Sequence, residues 1–481
     1  MSLRIALVGV LVPALLAGCV TPPPKAAPRL RADAPVGAPL PAAAKPTPWP
    51  ASTWWKAFGD PQLDALIAQG LAASPSLVTA RARIDAADAA VAMQLAQSGV
   101  RLGASVGIAR QRISDNGLIS GRLLNVSWYT QADAALELAA DFDWWGRQKA
   151  GIAAALHRSA AAQAEQKAAE LILSSAIATQ YLGWQSGRAR EDLARELVAT
   201  LDRRHALQAL RVAREIDPPE SLDALELERV QARDLVTVYG GIVYNQQLAL
   251  AALLGVAPDR VDLSKRGRAT VPLLLQPDDV SLRLIARRPD LVASRWRVEA
   301  SVQDVAQARA GYYPDVRLRA LGGLSSTELS DFLDSGSRVA TLGVSLYLPI
   351  FDSRNVKARH GVRRAELELA VASYHEQVVA AANEVAYEVS AWVGSSARQK
   401  HARDRVAVTQ ALQKAVLARG TSGVDDARAE LSAAADVLRA RDALAVIDGE
   451  LAMHQVALIK ALGGGYVAPP ADQSDRQVAK R

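Results

Sequence analysis

Apolar positions along this chain switch repeatedly between two periods. After Arg288-Pro289-Asp290, where the proline suits a first helical turn, Leu291, Val298, Val302 and Val305 recur at helical spacing as far as Gly311. Beyond Tyr312-Tyr313-Pro314 the period drops to two, with Val316, Leu318, Ala320 and Leu324 alternating against Asp315, Arg317, Arg319 and Ser325. A second alternating run sets Ala340, Leu342, Val344, Leu346 and Leu348 against Thr341, Gly343 and Ser345. It ends at Pro349-Ile350-Phe351-Asp352, and helical spacing then holds for about seventy residues. The pattern predicts helix, strands 315–327 and 338–351, and a long helix.

The first half has the same order. Asp60-Pro61 and Ser74-Pro75 are capping pairs that open two helices, the second reaching about Ser98. Strands are expected at 99–114 and 127–145. In the second, Ala132, Ala134, Leu136, Leu138 and Phe142 alternate with Gln131, Asp133, Glu137 and Asp141. A long helix from Gly146-Arg147 runs to Asp217, the chain turns at Pro218-Pro219, and a return helix spans Glu220 to Leu254. Matching pairs such as Pro75 with Pro289, Tyr181 with Tyr387 and Leu254-Gly255 with Leu462-Gly463 lie 206 to 214 residues apart. One unit is therefore duplicated. Its copies occupy 54–260 and 281–465, joined by a connector at 261–280 and followed by a polar tail, 466–481.

The amino terminus carries a separate signal. Met1-Ser2-Leu3-Arg4 precedes an apolar run from Ile5 to Ala17, too short to span a bilayer as a helix, and Leu16-Ala17-Gly18-Cys19 resembles a bacterial lipobox. That resemblance implies a signal peptide at 1–18, cleavage before Cys19 and acylation of Cys19. Residues 19–53 are rich in proline and read as an extended tether.

Composition narrows the function classes. A net charge of +6, spread along the chain, gives no footprint for nucleic acid. The single cysteine excludes an intrachain disulfide and a multi-thiolate metal site, and the six histidines form no pair at ligand spacing. Gly463-Gly464-Gly465 follows a helix and lacks the Lys-Ser/Thr of a phosphate loop, so it reads as helix termination. Nothing in the chain calls for catalysis, a cofactor or a metal. Trp144-Trp145 stands where an interfacial aromatic belt would sit, which favours a membrane barrel over a soluble sandwich. A periplasmic coiled-coil scaffold lipoprotein without a pore is the alternative, and it has no need of lipid-facing strands.

Four motifs in order carry a family resemblance: Arg288-Pro289-Asp290, Tyr312-Tyr313-Pro314, Leu348 to Asp352, and Ala461 to Tyr466. From about Trp54 to Tyr466 the chain resembles the TolC-type outer-membrane efflux proteins, in their lipoprotein branch. The resemblance implies a mainly α fold with a β-barrel part, each chain giving long antiparallel helical hairpins to a periplasmic tube and four strands to a twelve-stranded barrel. It implies a homotrimer in the outer membrane of a Gram-negative bacterium, contacting lipid, a periplasmic adaptor and an inner-membrane pump. Asp133, Glu137, Asp141, Arg317 and Arg319 are then expected to line the barrel lumen. Arg419-Gly420-Thr421-Ser422-Gly423 resembles the family's Arg-x-x-x-Gly turn, which marks this hairpin tip for adaptor contact. An offset of 206 places Asp217 opposite Gly423, so the first tip has Asp217-Pro218-Pro219 where the family favours glycine. Relatives that close the periplasmic mouth with paired aspartates have them where this chain has Ala429 and Ser432, leaving Asp425, Asp426 and Glu430 as the candidate gate acids.

Overall fold

The computed structural model describes residues 23–25, 27–34, 48–114, 128–263, 280–348 and 353–468. Cys19 and the signal segment, the Pro-Ile-Phe-Asp corner at 349–352, most of the connector and the tail beyond 468 lie outside the described residues. The chain divides into two compact units. One comprises Met1–Leu30, Asp85–Ala161 and Ser294–Ser373, and the other Arg31–Ile84, Ala162–Ala293 and Tyr374–Arg481.

The first unit holds a four-stranded antiparallel sheet in the order β1 (Val100–Arg112), β2 (Trp128–Phe142), β3 (Asp315–Ser326) and β4 (Arg338–Tyr347). Strand order follows chain order, so each repeat contributes one hairpin and the two hairpins meet at β2 and β3. Gly323 permits that meeting, because a Cβ there would run into the carbonyl of Ala134. Strand ends agree with the alternating runs to within three residues, except that β4 ends at Tyr347 where its run was expected to reach 351, of which 349–351 lie outside the described residues.

The second unit is helical. Its parts are α1 (Pro61–Ala73), the start of α2 (Pro75–Ala96), most of α3 (Arg147–Ala213), α4 (Glu220–Leu254), α5 (Val280–Arg287), most of α7 (Ser353–Thr421) and α8 (Ala427–Ala461); most of α6 (Pro289–Ala310) belongs to the first unit. Asp60 caps α1, its Oδ1 accepting from the backbone N–H groups of Gln62 and Leu63 at 2.9 and 3.4 Å. Its other carboxylate oxygen accepts from the Tyr181 hydroxyl at 2.8 Å and from Gln185 at 2.7 Å, which ties α1 to α3. Burial, aided by that carboxylate, pushes the Tyr181 hydroxyl well above its ordinary pKa, so it stays a donor. Around this bond Phe58, Leu63, Ile67, Ile177, Leu254 and Val456 form the core that fastens α1 among α3, α4 and α8. A second cluster of Leu201, Leu225, Ala232 and Leu438 sits nearer the hairpin ends.

Two expectations need correction. Asp217 does not end the first long helix, because α3 stops at Ala213 and the turn runs from Arg214 to Pro219, the N-cap of the return helix. The residues at and before an N-cap need no N–H for the helix, so the pair is accommodated just ahead of α4. The tether at 19–53 is not wholly free of the body either. Arg309 donates to the Pro23 carbonyl at 2.7 Å, and Ala34 is fully buried.

Candidate functional site

Residues directly opposite in a sheet share a face, so the register can be read as rungs. One rung runs Leu102, Leu138, Ala320 and Leu342, and the next toward the helices runs Val100, Ala140, Leu318 and Val344. The large apolar residues named in the alternating runs and paired in the sheet thus fall on a single face. That face is open to solvent in the single chain, with Val106 85% and Leu342 77% exposed.

The opposite face gathers the polar residues. Arg101 and Arg319 share a rung, and Asp141, Arg317 and Ser345 share the neighbouring one. Arg101 donates to Asp141 at 3.0 Å, while Arg317 pairs with Asp315 at 2.6 Å and approaches Asp141 at 3.8 Å. Glu137 accepts from Ser105 at 3.3 Å. Asp133 accepts from Ser325 at 2.6 Å and from Gln131 at 3.0 Å. All five charged residues singled out in the sequence therefore lie on one face, joined by Arg101, which parity alone would have found.

The two hairpin tips use the same turn. In the second, Gly423 has φ +74° and the Val424 N–H returns to the Arg419 carbonyl at 2.9 Å. In the first, Glu215 has φ +56° and the Ile216 N–H returns to the Arg211 carbonyl at 2.9 Å. Arg419 grips Asp425 at 2.6 Å, as Arg211 grips Asp217 at 2.7 Å. Glu215, not Asp217, is therefore the counterpart of Gly423, and Asp217 is the counterpart of Asp425. The cause is length: α3 has 67 residues and α7 has 69, so an offset of 206 at the helix starts becomes 208 at the tips. The repeated spacing Arg211-x5-Asp217 and Arg419-x5-Asp425 was the available signal.

Asp217 also gathers residues that the sequence gave no reason to single out. Gln208 donates to it at 2.9 Å, and Arg428 of α8 reaches it at 2.9 Å and Gln208 at 3.0 Å, tying the two hairpins together. The Arg211 hydrogen bond, helped by Gln208 and by the Arg428 charge, holds the Asp217 carboxyl down at about 2. Of the candidate gate acids, Asp426 caps α8, accepting from the N–H groups of Arg428 and Ala429 at 3.0 and 3.1 Å. Its Arg428 hydrogen bond holds that carboxyl below the usual range. Asp425 is engaged by Arg419, and Glu430 lies against Gly420. Pro218 lies just ahead of α4, its carbonyl accepting from the Ser221 N–H at 3.1 Å.

Two of the sequence motifs meet each other. Arg288 is buried, pairs with Asp290 at 2.8 Å and Glu384 at 2.7 Å, and donates to the Ala461 carbonyl at 3.0 Å, which caps the end of α8. Gly463, Gly464 and Gly465 all take positive φ there, and a Cβ at Gly463 would strike the Arg287 carbonyl. Helix termination is thus the role of the glycine run. Among the described residues no three His, Cys, Asp or Glu side chains are grouped to hold a metal ion, and no single helix is long and apolar enough to cross a membrane.

Comparison with known proteins agrees with this geometry. The outer membrane efflux protein family model matches residues 66–256 and again 281–464, the two repeats. The multidrug resistance outer membrane protein MdtP of Escherichia coli K12 is 29% identical over 431 residues, covering 88% of each chain. MdtQ of Escherichia coli O6:H1 is 28% identical over 431 residues, covering 87% of this chain and 89% of its own. Among solved structures, the outer membrane protein VceC of Vibrio cholerae superposes with a TM-score of 0.78 at 28% identity, covering 87% of this chain and all of its own. The outer-membrane channel OprN has a TM-score of 0.83 at 24% identity, which speaks for the fold alone. With a two-faced sheet, duplicated helical hairpins and a family model spanning both repeats, the chain belongs to the outer membrane efflux proteins.

Proposed function

We propose that three copies of this chain close one barrel and form the passive exit duct of a tripartite efflux system for small molecules such as drugs. The observation that carries this is the sheet itself. Its apolar face needs lipid, its charged face needs water, and its two edges, β1 and β4, have no partner strand among the described residues of the single chain. An open edge in hydrocarbon leaves backbone N–H and C=O groups unpaired, and the smallest membrane barrels have about eight strands. Twelve strands from three chains satisfy both requirements. Asp133, Glu137, Asp141, Arg317 and Arg319 then line the lumen. The energy for export comes from an inner-membrane pump, reached through a periplasmic adaptor that docks at the hairpin tips, the Arg419 to Gly423 turn being the better-matched one. Asp425, Asp426 and Glu430 are the acids that would ring the periplasmic mouth, Asp425 held by Arg419 and Asp426 by its capping of α8. Acylation of Cys19 adds a lipid anchor to the barrel.

Purified protein added to a planar bilayer should give discrete, ohmic conductance steps, and native mass spectrometry should give three copies. A folded protein that stays a single chain and never conducts would overturn the reading. For the anchor, fatty-acid labelling should mark wild type and be lost in Cys19→Ser, while membrane association survives through the barrel.

A further inference from the structure

Both long helices open on basic side chains, although Asp143, just ahead of α3, accepts from the Gln148 and Lys149 N–H groups at 3.0 and 2.9 Å. Helix N-termini favour carboxylates, yet neither α3 nor α7 has an acid in its first turn. From 147 to 164 the charged side chains are Arg147, Lys149 and Arg158, and from 353 to 365 they are Arg354, Lys357, Arg359, Arg363 and Arg364. The first acids after them are Glu165 and Glu366. Some of these arginines have partners within the unit: Arg158 pairs with Asp304, Arg147 lies 3.8 Å from Asp315, and Arg363 pairs with Glu366 at 2.7 Å. Lys149, Arg354 and Lys357 are exposed and in no ion pair among the described residues. Immediately on the strand side stand exposed aromatics. Phe142 stacks on Trp144 at 5.9 Å, Trp145 stacks on Tyr313 at 4.4 Å while its indole N–H donates to the Pro314 carbonyl at 2.9 Å, and Tyr347 ends β4.

We propose that the openings of α3 and α7 form a basic collar that binds the phosphate headgroups of anionic phospholipid in the leaflet next to the helices. The proposal rests on reading the sheet as a membrane barrel. Amphipathic rings collect where hydrocarbon gives way to headgroups, so the charges that follow them by a few residues stand at phosphate level. Asp143 already meets the N–H groups that open α3, so what draws phosphate is the side-chain charge of Lys149, Arg354 and Lys357 standing at that level. The appearance of the same arrangement in both repeats gives a trimer six such openings, enough to ring the barrel.

The test compares wild type with the triple variant Lys149→Gln, Arg354→Gln, Lys357→Gln, whose members hold no ion pair among the described residues. Delipidated protein is titrated with phosphatidylglycerol and, separately, with phosphatidylcholine, and bound lipid is counted by native mass spectrometry. Wild type should retain phosphatidylglycerol preferentially, weakening as salt rises, and the variant should lose about fivefold in affinity for each charge removed. Copy number and conductance should be unchanged. Equal phosphatidylglycerol retention by the two proteins would overturn the proposal, as would full competition by millimolar inorganic phosphate, which marks a free-anion site. Dissociation of the variant into single chains without lipid would also overturn it, assigning the collar to contacts between copies. Loss of conductance in both proteins would instead fail the channel reading, with lipid retention still read on the same samples.

Discussion

The two hairpin tips are one turn built twice under different constraints. Each closes with a residue in the left-handed region and an arginine that reaches six residues ahead to an aspartate. At the second tip the left-handed residue is Gly423, which takes that conformation without steric cost, and Asp425 is held by Arg419. At the first it is Glu215, the sole non-glycine residue with positive φ among those described, where a Cβ costs roughly 1 to 2 kcal/mol. The first tip correspondingly has the stronger clamp, with Arg211, Gln208 and Arg428 all converging on Asp217. A turn can be specified by the residue at its tightest point or by the side chains that hold its ends. The two repeats take different routes to the same backbone.

The largest test of the duplication lies in the sheet, where the repeats behave alike. Val344→Arg and Leu136→Arg, one in each repeat and both on the apolar face, should each cost about 2 to 4 kcal/mol near the bilayer midplane. Ser345→Arg, on the other face beside Arg317, should assemble normally and shift ion selectivity. Urea titration of reconstituted protein and reversal potentials read these outcomes. If Ser345→Arg blocked assembly while Val344→Arg did not, the faces would be exchanged.

At the tips the effects should be smaller and unequal. Nothing lies within 4 Å of a Cβ built on Gly423, so Gly423→Val strains only the backbone, by about 1 to 3 kcal/mol. The variant should remain folded and membrane-inserted while export falls and cross-linking to the adaptor weakens. Normal export and cross-linking would reduce this turn to a chain reversal. Asp217→Asn should loosen the first tip more than Asp425→Asn loosens the second, seen as faster amide exchange at 211–221.

Acid should reproduce the Asp217 loss. The folded carboxyl titrates at about 2, below its ordinary 3.8, so its contribution is complete above 3.8 and is lost as pH falls through about 2. Exchange at the first tip should therefore be insensitive to this group from pH 7 to 5 and accelerate between about 4 and 2. The smallest effect belongs to Glu215→Gly. Relief of the left-handed strain, partly offset by the added freedom of the unfolded glycine, should stabilise the tip by about 1 kcal/mol or less. A destabilisation would show that the Glu215 side chain does more than occupy the turn.

Much of this was legible because it rests on local rules. Period-two runs located all four strands and sorted their faces, Asp60-Pro61 announced a capped helix, and the bounds of α4 and α7 are those of the helical pattern. The first tip misled because Pro218-Pro219 is a louder turn signal than Glu215, which carries none. Proline is tolerated at and just before an N-cap, and a left-handed glutamate is fixed by its neighbours rather than by its own type. Tyr181 and Tyr387 make the same point about burial. They match in sequence, yet Tyr181 is fully buried against Asp60 and Tyr387 is 67% exposed in the single chain. Pairings that close across long separations, such as Arg288 with Glu384 and Ala461 or Arg428 with Asp217, leave no periodic trace.

The central claim, that one face of the sheet meets lipid and the other meets water, is tested most directly on adjacent residues of β4. In a Cys19→Ser background, Val344→Cys and Ser345→Cys are placed one at a time in liposome-reconstituted protein. A membrane-impermeant charged maleimide should label Ser345→Cys and spare Val344→Cys, while a fluorophore attached before reconstitution should be quenched by nitroxide lipids only at position 344. Labelling of Val344→Cys with protection of Ser345→Cys, or equal labelling of both, would contradict the account.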